Sequence, residues 1–77
     1  MESGFSMQKN EFAKKVGSKM AFYRERAGLT QENLAEMVEV ERNTITRYES
    51  GLREPKLHLF VEIAKALEIS IEELLPD

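Results

Sequence analysis

The sequence has 77 residues, which corresponds to one small domain and excludes a separate sensor or catalytic domain. Its apolar fraction of 42% and charged fraction of 32% are typical of a folded globular chain and exclude a disordered one. The net charge of −3 argues against a strongly anionic partner, unless the positive residues are gathered on one face of the fold.

The first predicted element is a helix over residues 10–26. Residues 1–9 show no periodicity and contain Gly4 and two serines, so we expect a flexible N-terminal arm. Apolar side chains then recur at steps of three and four residues, the spacing of one helical face: Phe12, Val16, Met20, Tyr23 and Ala27. Asn10 is the expected N-cap, and Gly28 is expected to end the helix.

Two short helices with a tight connection follow, over residues 31–37 and 42–49. Thr30 is the expected N-cap of the first, and Gly51 closes the second where a left-handed backbone is easiest. The apolar positions of the pair are Leu34, Ala35, Val38, Ile45 and Tyr48. Because only three or four residues connect the helices, they must cross at a large angle, and the second helix protrudes.

Two further helices complete the chain. After a loop over residues 52–55, an amphipathic fourth helix is predicted to start at Lys56. Its apolar positions are Leu57, Phe60, Ile63, Ala64 and Leu67. Ser70 and Glu73 have the spacing of a capping box, which predicts a short fifth helix before Pro76. Since no alternating run predicts a strand, the expected fold class is all-α with five helices.

The charges are divided along the chain. Residues 9–26 carry six Lys or Arg against two Glu, and residues 42–56 carry four against two, whereas residues 27–41 and 57–77 are net negative. Such a chain can present one positive and one negative face, and binding depends on the local field rather than on the net charge. The same division is also expected of ordinary solvated helix surfaces, so charge alone leaves both interpretations open.

Catalytic, metal-binding and membrane-spanning functions find no support in the sequence. The chain has no cysteine, its only histidine is His58, and it contains no paired-acid or phosphate-cradling motif. Apolar runs such as residues 59–61 are far shorter than the ~20 residues that span a bilayer, and no signal-peptide pattern is present. We therefore expect a cytoplasmic protein that is not an enzyme, binds no metal or cofactor, and does not enter a membrane.

The most specific pattern lies between residues 29 and 67. It consists of LTQENLAE at 29–36, Val40, RNTITRYESG at 42–51, Pro55 and IAKAL at 63–67. At these separations the pattern resembles the Cro/phage-repressor-like (XRE-type) family of helix-turn-helix transcriptional regulators, over about residues 12–75. The resemblance implies a compact, five-helix, lambda-repressor-like domain that binds double-stranded DNA without a cofactor.

The resemblance assigns base contacts to the second helix of the motif. That helix, residues 42–49, would enter the major groove and bring to the base edges Arg42, Asn43, Thr44 and Arg47. Arg can pair with guanine, Asn with adenine, and the Thr methyl group with the thymine methyl group. The last three residues also share one helical stripe, opposite the stripe that contains the apolar side chains.

The resemblance further implies contacts with the DNA backbone. Gln31 matches the family's phosphate-binding glutamine in the first turn of its helix, and Thr46 would stand nearer the backbone than the base-reading residues. Arg53 and Lys56 flank the loop after the recognition helix and are candidates for the other side of the groove. Three lysines of helix 1 are candidates as well: Lys14, Lys15 and Lys19.

Other matched positions concern the scaffold. Arg24 and Glu49 stand where relatives form an internal ion pair, which makes them scaffold rather than DNA contacts. Glu39 replaces the usual glycine of the motif's turn, so it must adopt a left-handed backbone or reshape the turn. Glu41 replaces the usual capping Ser or Thr and would oppose DNA phosphates, and Glu68 replaces the glycine that often ends helix 4.

A homodimer is expected, because one recognition helix gives a small interface and this motif commonly reads two half-sites about 34 Å apart. The candidate seam is Leu59, Ile69, Ile71, Leu74 and Leu75. These residues are also suited to complete the core of the monomer. Phe22 lies off the apolar stripe of helix 1, and the sequence leaves open whether Phe5, a partner or solvent covers it.

Two functions remain. The leading hypothesis is a dimeric transcription regulator that binds a pseudo-palindromic operator and is controlled by its own concentration. The alternative is an antitoxin-type or other protein-interaction module, in which the acidic, Leu-rich C-terminal tail masks a protein partner. The two functions can coexist in one chain.

Overall fold

Residues 9–77 are described by this computed structural model. They form four α-helices and one C-terminal 3₁₀ turn: α1 (Lys9–Arg26), α2 (Gln31–Met37), α3 (Arg42–Ser50), α4 (Leu57–Leu67) and the turn Ile71–Leu74. No strand occurs in this part of the chain, so the predicted all-α class is confirmed, with a 3₁₀ turn in place of the fifth helix. The predicted arm lies outside the described residues except for its last residue, with which α1 begins.

Two of the predicted N-caps differ from the structure. Helix α1 begins one residue before Asn10, so that residue lies inside the helix. The capping box predicted at Ser70 does not form, because the Ser70 side chain makes no capping hydrogen bond and the Glu73 carboxylate instead accepts one from the hydroxyl group of Tyr23. Thr30 does cap α2, accepting a hydrogen bond from the Asn33 backbone N–H while the Asn33 side chain accepts one from the Thr30 N–H.

All four helices end in the same way. The residue that follows each helix or its last turn has a left-handed backbone: Gly28 (φ 76°), Glu39 (φ 61°), Gly51 (φ 82°) and Glu68 (φ 59°). In each case the next N–H donates to a carbonyl oxygen five residues back, at 2.9 to 3.1 Å. This is the Schellman arrangement, in which glycine is favoured because other residues are strained there. Glu39 thus adopts the left-handed backbone and keeps the turn, as Glu68 does after α4.

One core joins all the elements. Its buried members are Val16, Met20, Leu34, Ala35, Val38, Ile45, Tyr48, Phe60, Ile63, Ala64, Leu67 and Leu74. The prediction of a buried face was wrong for two residues. Ala27 and Leu57 are exposed, and the exposed fraction of Leu57 is 74%. Both stand at a helix end, Ala27 just past the last residue of α1 and Leu57 at the first residue of α4, where the chain turns away from the core.

Leu74 corrects the predicted dimer seam. It is fully buried within the monomer, where the 3₁₀ turn packs against α1 and α4. The alternative, that the apolar tail completes the monomer core, is therefore right for this residue. Three other seam candidates are half-buried against the core, Leu59, Ile69 and Ile71, whereas Leu75 is 37% exposed.

Candidate nucleic-acid interface

Helices α2 and α3 form a helix-turn-helix unit with a four-residue connection over residues 38–41. Helix α3 packs against both α1 and α2 through the buried side chains of Ile45 and Tyr48. Its opposite face is turned away from the core. The fold therefore presents one face of a nine-residue helix, α3, to the outside on a rigid support.

The four residues predicted to contact bases lie on this helix and differ in exposure. Arg42, Asn43 and Arg47 are exposed, whereas Thr44 is half-buried. Within residues 9–77 neither arginine of this group forms an ion pair, so both guanidinium groups keep their charge unpartnered. Such a stripe of two guanidinium groups and one amide offers the donors that pair with guanine and adenine edges.

Two of the residues predicted to contact the DNA backbone, Gln31 and Thr46, are hydrogen-bonded to each other. The Thr46 hydroxyl group donates to Oε1 of Gln31 at 2.9 Å, and also lies 3.2 Å from the carbonyl oxygen of Arg42. The Gln31 Nε2 group donates to Oε1 of Glu49 at 2.9 Å. The side chain of Gln31 is therefore held between α2, where it originates, and two residues of α3.

Arg24 and Glu49 form a two-point ion pair between α1 and α3. Arg24 Nε donates to Glu49 Oε2 at 2.7 Å, and Arg24 Nη2 donates to Oε1 at 3.1 Å. Arg24 is only 9% exposed, and its Nη1 also donates to the carbonyl oxygen of Leu29 at 2.7 Å. The hydrogen bond to Glu49 raises the pKa of the Arg24 guanidinium above its ordinary value, so Arg24 keeps its charge. The pair fixes α3 against α1.

The sequence indicates no link between the scaffold pair and the predicted DNA-contacting residues, but the structure connects them. Oε1 of Glu49 accepts from both Arg24 and Gln31. Gln31 and Glu49 are 18 residues apart, and no local spacing indicates such a contact. The one signal was that both residues belong to the same motif, one in the first turn of α2 and one in the last turn of α3.

The remaining basic candidates fall into two groups. Arg53 and Lys56 are exposed in the loop after α3. Lys14 is exposed beside the same loop, since a side chain at Gly51 would meet the Lys14 Cα at 2.8 Å. Lys19 differs: its Nζ donates to the carbonyl oxygen of Leu75 at 3.0 Å and lies 3.8 Å from the Asp77 carboxylate, so it holds the C-terminal tail.

Glu41 is the one acidic side chain at the start of α3. It occupies the N-cap position with an extended backbone, is exposed, and makes no side-chain capping hydrogen bond. Its carboxylate therefore stands next to Arg42 without satisfying a helix N–H group. Any polyanion that approaches the N-terminus of α3 meets this negative charge.

The described residues meet the requirements of neither a metal site nor a membrane-spanning helix. Among the described residues no three His, Asp or Glu side chains come close enough to hold a metal ion, and none of these helices is both long and apolar enough to cross a membrane.

Phe22 is 56% exposed, and its ring packs edge-on against Tyr23 with ring centroids 5.0 Å apart. Phe5, one of the three possible neighbours of Phe22 that the sequence leaves open, lies outside the described residues.

Comparisons with known proteins agree with this arrangement. A family model described as helix-turn-helix matches residues 20–74. An uncharacterised HTH-type transcriptional regulator of Methanocaldococcus jannaschii is 40% identical over 57 residues, covering 74% of this chain and 86% of that protein. The crystal structure of the restriction-modification controller protein C.AhdI from Aeromonas hydrophila matches with a TM-score of 0.79 at 32% identity, covering 82% of this chain and 96% of that one.

A second similar structure is a complex of a repressor protein with DNA. The P22 c2 repressor protein, in complex with a synthetic operator, matches with a TM-score of 0.74 at 28% identity, covering 78% of this chain and 91% of that one. The segment matched by the family model contains the end of α1, all of α2, α3 and α4, and the C-terminal 3₁₀ turn. The chain belongs to the Cro/phage-repressor-like (XRE-type) family of helix-turn-helix transcriptional regulators.

Proposed function

We propose that this protein regulates transcription by binding a specific DNA sequence, with α3 as the recognition helix in the major groove. The observation that carries the proposal is the exposure of Arg42, Asn43 and Arg47 on a helix that buries Ile45 and Tyr48 in the core. Because the two-point ion pair fixes that helix against α1, these side chains start from a rigid support. Thr44 is half-buried and is therefore the least accessible of the four predicted base contacts.

Contacts with the DNA backbone come from both ends of the motif. Gln31 and Thr46 lie together on one side, and we assign them to phosphate groups that flank the recognition helix. Arg53 and Lys56 lie in the loop after α3, where their charge would meet the phosphates on the other side. This arrangement gives the overall anionic chain a local positive surface for the duplex.

A homodimer on a pseudo-palindromic operator fits this small interface, since two recognition helices about 34 Å apart read twice as many bases. With Leu74 in the monomer core, the seam reduces to Leu59, Ile69, Ile71 and Leu75. Sedimentation of Leu75→Asp tests it: this variant is expected to dissociate while remaining folded, whereas Leu74→Asp is expected to unfold. A Leu75→Asp protein that sediments as wild type would exclude Leu75 from the seam.

The protein would regulate transcription by occupying the operator. A cytoplasmic protein of this kind would repress or activate a nearby promoter in proportion to its own concentration, without catalysis or a cofactor. The antitoxin-type alternative stays a prediction, and no contact among residues 9–77 favours it, because Leu74 is packed in the monomer core and Lys19 binds the tail.

Selection of bound duplexes from random oligonucleotides, followed by gel-shift titration at about 100 mM salt, tests the proposal. We expect enrichment of a sequence with two-fold symmetry, bound at least about 10³-fold more tightly than random DNA. Binding with no sequence preference, or no binding at all, would refute the assignment of α3 as a recognition helix.

A further inference from the structure

The amide group of Gln31 is held at both ends by residues of α3. Its Nε2 group donates to Oε1 of Glu49 at 2.9 Å, and its Oε1 atom accepts from the Thr46 hydroxyl group at 2.9 Å. An amide has two N–H donors, and within residues 9–77 only one of them has an acceptor. The second N–H of Gln31 is left for a group outside residues 9–77.

The carboxylate of Glu49 determines which way this amide faces. An ionised carboxylate only accepts hydrogen bonds, so it selects the NH₂ end of Gln31 and repels its oxygen. The Thr46 hydroxyl group gives no such selection, because a hydroxyl group can donate or accept. The orientation therefore depends on the negative charge of Glu49, whose carboxylate also takes part in the two-point pair with Arg24.

We propose that Glu49 is a positioning residue for DNA binding, which orients the Gln31 amide so that its second N–H meets a phosphate oxygen. If Glu49 had only a structural role, its substitution would affect the protein only through the loss of the ion pair with Arg24. Here the same Oε1 atom stabilises the fold through Arg24 and presents the phosphate contact through Gln31. This inference rests on the proposed function, because it requires Gln31 to contact DNA.

A double-mutant cycle tests the inference. The four proteins are wild type, Gln31→Ala, Glu49→Gln and the double variant, with affinity for the selected duplex and thermal unfolding measured for each. A glutamine at position 49 offers both an oxygen and an NH₂ group, so it no longer selects one orientation of Gln31. We expect Glu49→Gln to weaken DNA binding about three- to tenfold in the wild-type background and to have no effect on binding in the Gln31→Ala background.

Arg24→Lys is the matched control. It breaks the two-point pair and lowers stability, since an ammonium group cannot reproduce the guanidinium geometry, but it leaves the Glu49 carboxylate beside Gln31. Below its unfolding temperature, this variant is expected to bind DNA within about twofold of wild type. If Arg24→Lys and Glu49→Gln weaken binding equally, or if Glu49→Gln weakens it as much without Gln31 as with it, the inference is wrong.

The outcomes separate the inference from the proposed function. Loss of the proposed function would appear as a wild-type protein that selects no sequence, whereas Gln31→Ala binding with full affinity would overturn the inference and leave the recognition helix unaffected. The contact itself is checked in the free wild-type protein by nuclear Overhauser effects between the Gln31 side-chain amide protons and the Glu49 γ-methylene group. Their absence would overturn the inference even if Glu49→Gln fails to fold.

Discussion

Gly17 lies against the main chain of Tyr48, at the point where α1 crosses the last turn of α3. A methyl group at position 17 would come 2.6 Å from the carbonyl oxygen of Glu49 and closer still to that of Tyr48. Neither oxygen can move away, because both belong to the backbone of a helix that packs against α1 and α2. The close crossing of α1 and α3, which brings Arg24 to Glu49, therefore depends on a residue without a side chain.

Gly17→Ala is expected to destabilise the fold. In an exposed helix, alanine would be more stable than glycine by about 1 kcal/mol, but here the methyl group must push two helices apart, at about 1–3 kcal/mol. Urea unfolding followed by circular dichroism measures the difference. Ser18→Ala, at an exposed neighbouring position, is the control and should change the free energy of unfolding by less than about 0.5 kcal/mol. A Gly17→Ala protein as stable as wild type would contradict the close crossing.

Glu39→Gly is expected to stabilise the protein. Glu39 has a left-handed backbone with φ 61°, which costs about 1–2 kcal/mol in a residue with a side chain. Part of this gain is lost to the greater freedom of glycine in the unfolded chain, so the expected increase is about 0.5–1 kcal/mol. Thermal unfolding measures it, with Glu36→Gly inside α2 as the control, for which a decrease of about 1 kcal/mol is expected. Similar losses in both variants would contradict the strain at position 39.

Periodicity was sufficient to predict the helices and most of the core, because helical spacing places Val16, Met20, Ile45 and Tyr48 on inner faces wherever the helices cross. It was insufficient for contacts that depend on how the helices cross. The approach of Gly17 to α3 and the bond between Gln31 and Glu49 are examples, since each joins residues far apart in sequence.

Competition between partners explains other differences. The tail residues suited a dimer seam or a monomer core equally well, and only the packed 3₁₀ turn distinguishes the two for Leu74. Glu73 had the spacing to cap the turn at Ser70, yet it accepts from Tyr23 instead. Lys19 was suited to DNA by its charge, but it binds the tail. In each case the local sequence predicted one interaction, and the side chain makes a different one in the folded chain.

Stability is expected to fall as the pH rises above about 10. The hydrogen bond that Tyr23 donates to Glu73 raises the pKa of Tyr23 above its ordinary value of 10.0, and burial raises the pKa of Tyr48. The unfolded chain therefore loses these protons at a lower pH than the folded chain, so stability is complete below about pH 10 and declines above it. Tyr23→Phe should make the decline shallower, as measured by urea unfolding between about pH 9 and 11.

Tyrosinate absorbance gives a second measurement of the same prediction. The chain has two tyrosines and no tryptophan, so the titration of folded Tyr23→Phe reports Tyr48 alone, and the difference from wild type reports Tyr23. A Tyr23 that titrates at the ordinary pKa, or a decline in stability unchanged by Tyr23→Phe, would show that the bond to Glu73 does not form in solution.

Glu41→Gln is expected to increase DNA affinity. The exposed Glu41 carboxylate at the N-terminus of α3 repels phosphates and forms no capping hydrogen bond that its removal would sacrifice. Its neutralisation should strengthen binding by about 0.5–1 kcal/mol at low salt, and the gain should shrink as salt is added. Glu72→Gln, on the C-terminal turn, is the matched control and should leave affinity unchanged. Weaker binding by Glu41→Gln to the selected site would instead indicate that this carboxylate accepts a hydrogen bond from a cytosine.

Arg47→Ala and Arg53→Ala are expected to change DNA binding in different ways, although each removes one exposed guanidinium group. Arg47 lies on the outer stripe of α3, so its loss should cost about 1–3 kcal/mol on the selected site and relax the preference at one base position in each half-site. Arg53 lies in the loop after α3, so its loss should weaken binding to all sequences alike and reduce the slope of log affinity against log salt by about 1. Repeating the selection with each variant, and titrating both on selected and random duplexes, measures the two effects separately. If Arg53→Ala alters the selected sequence while Arg47→Ala weakens all duplexes equally, the recognition surface is not the outer face of α3.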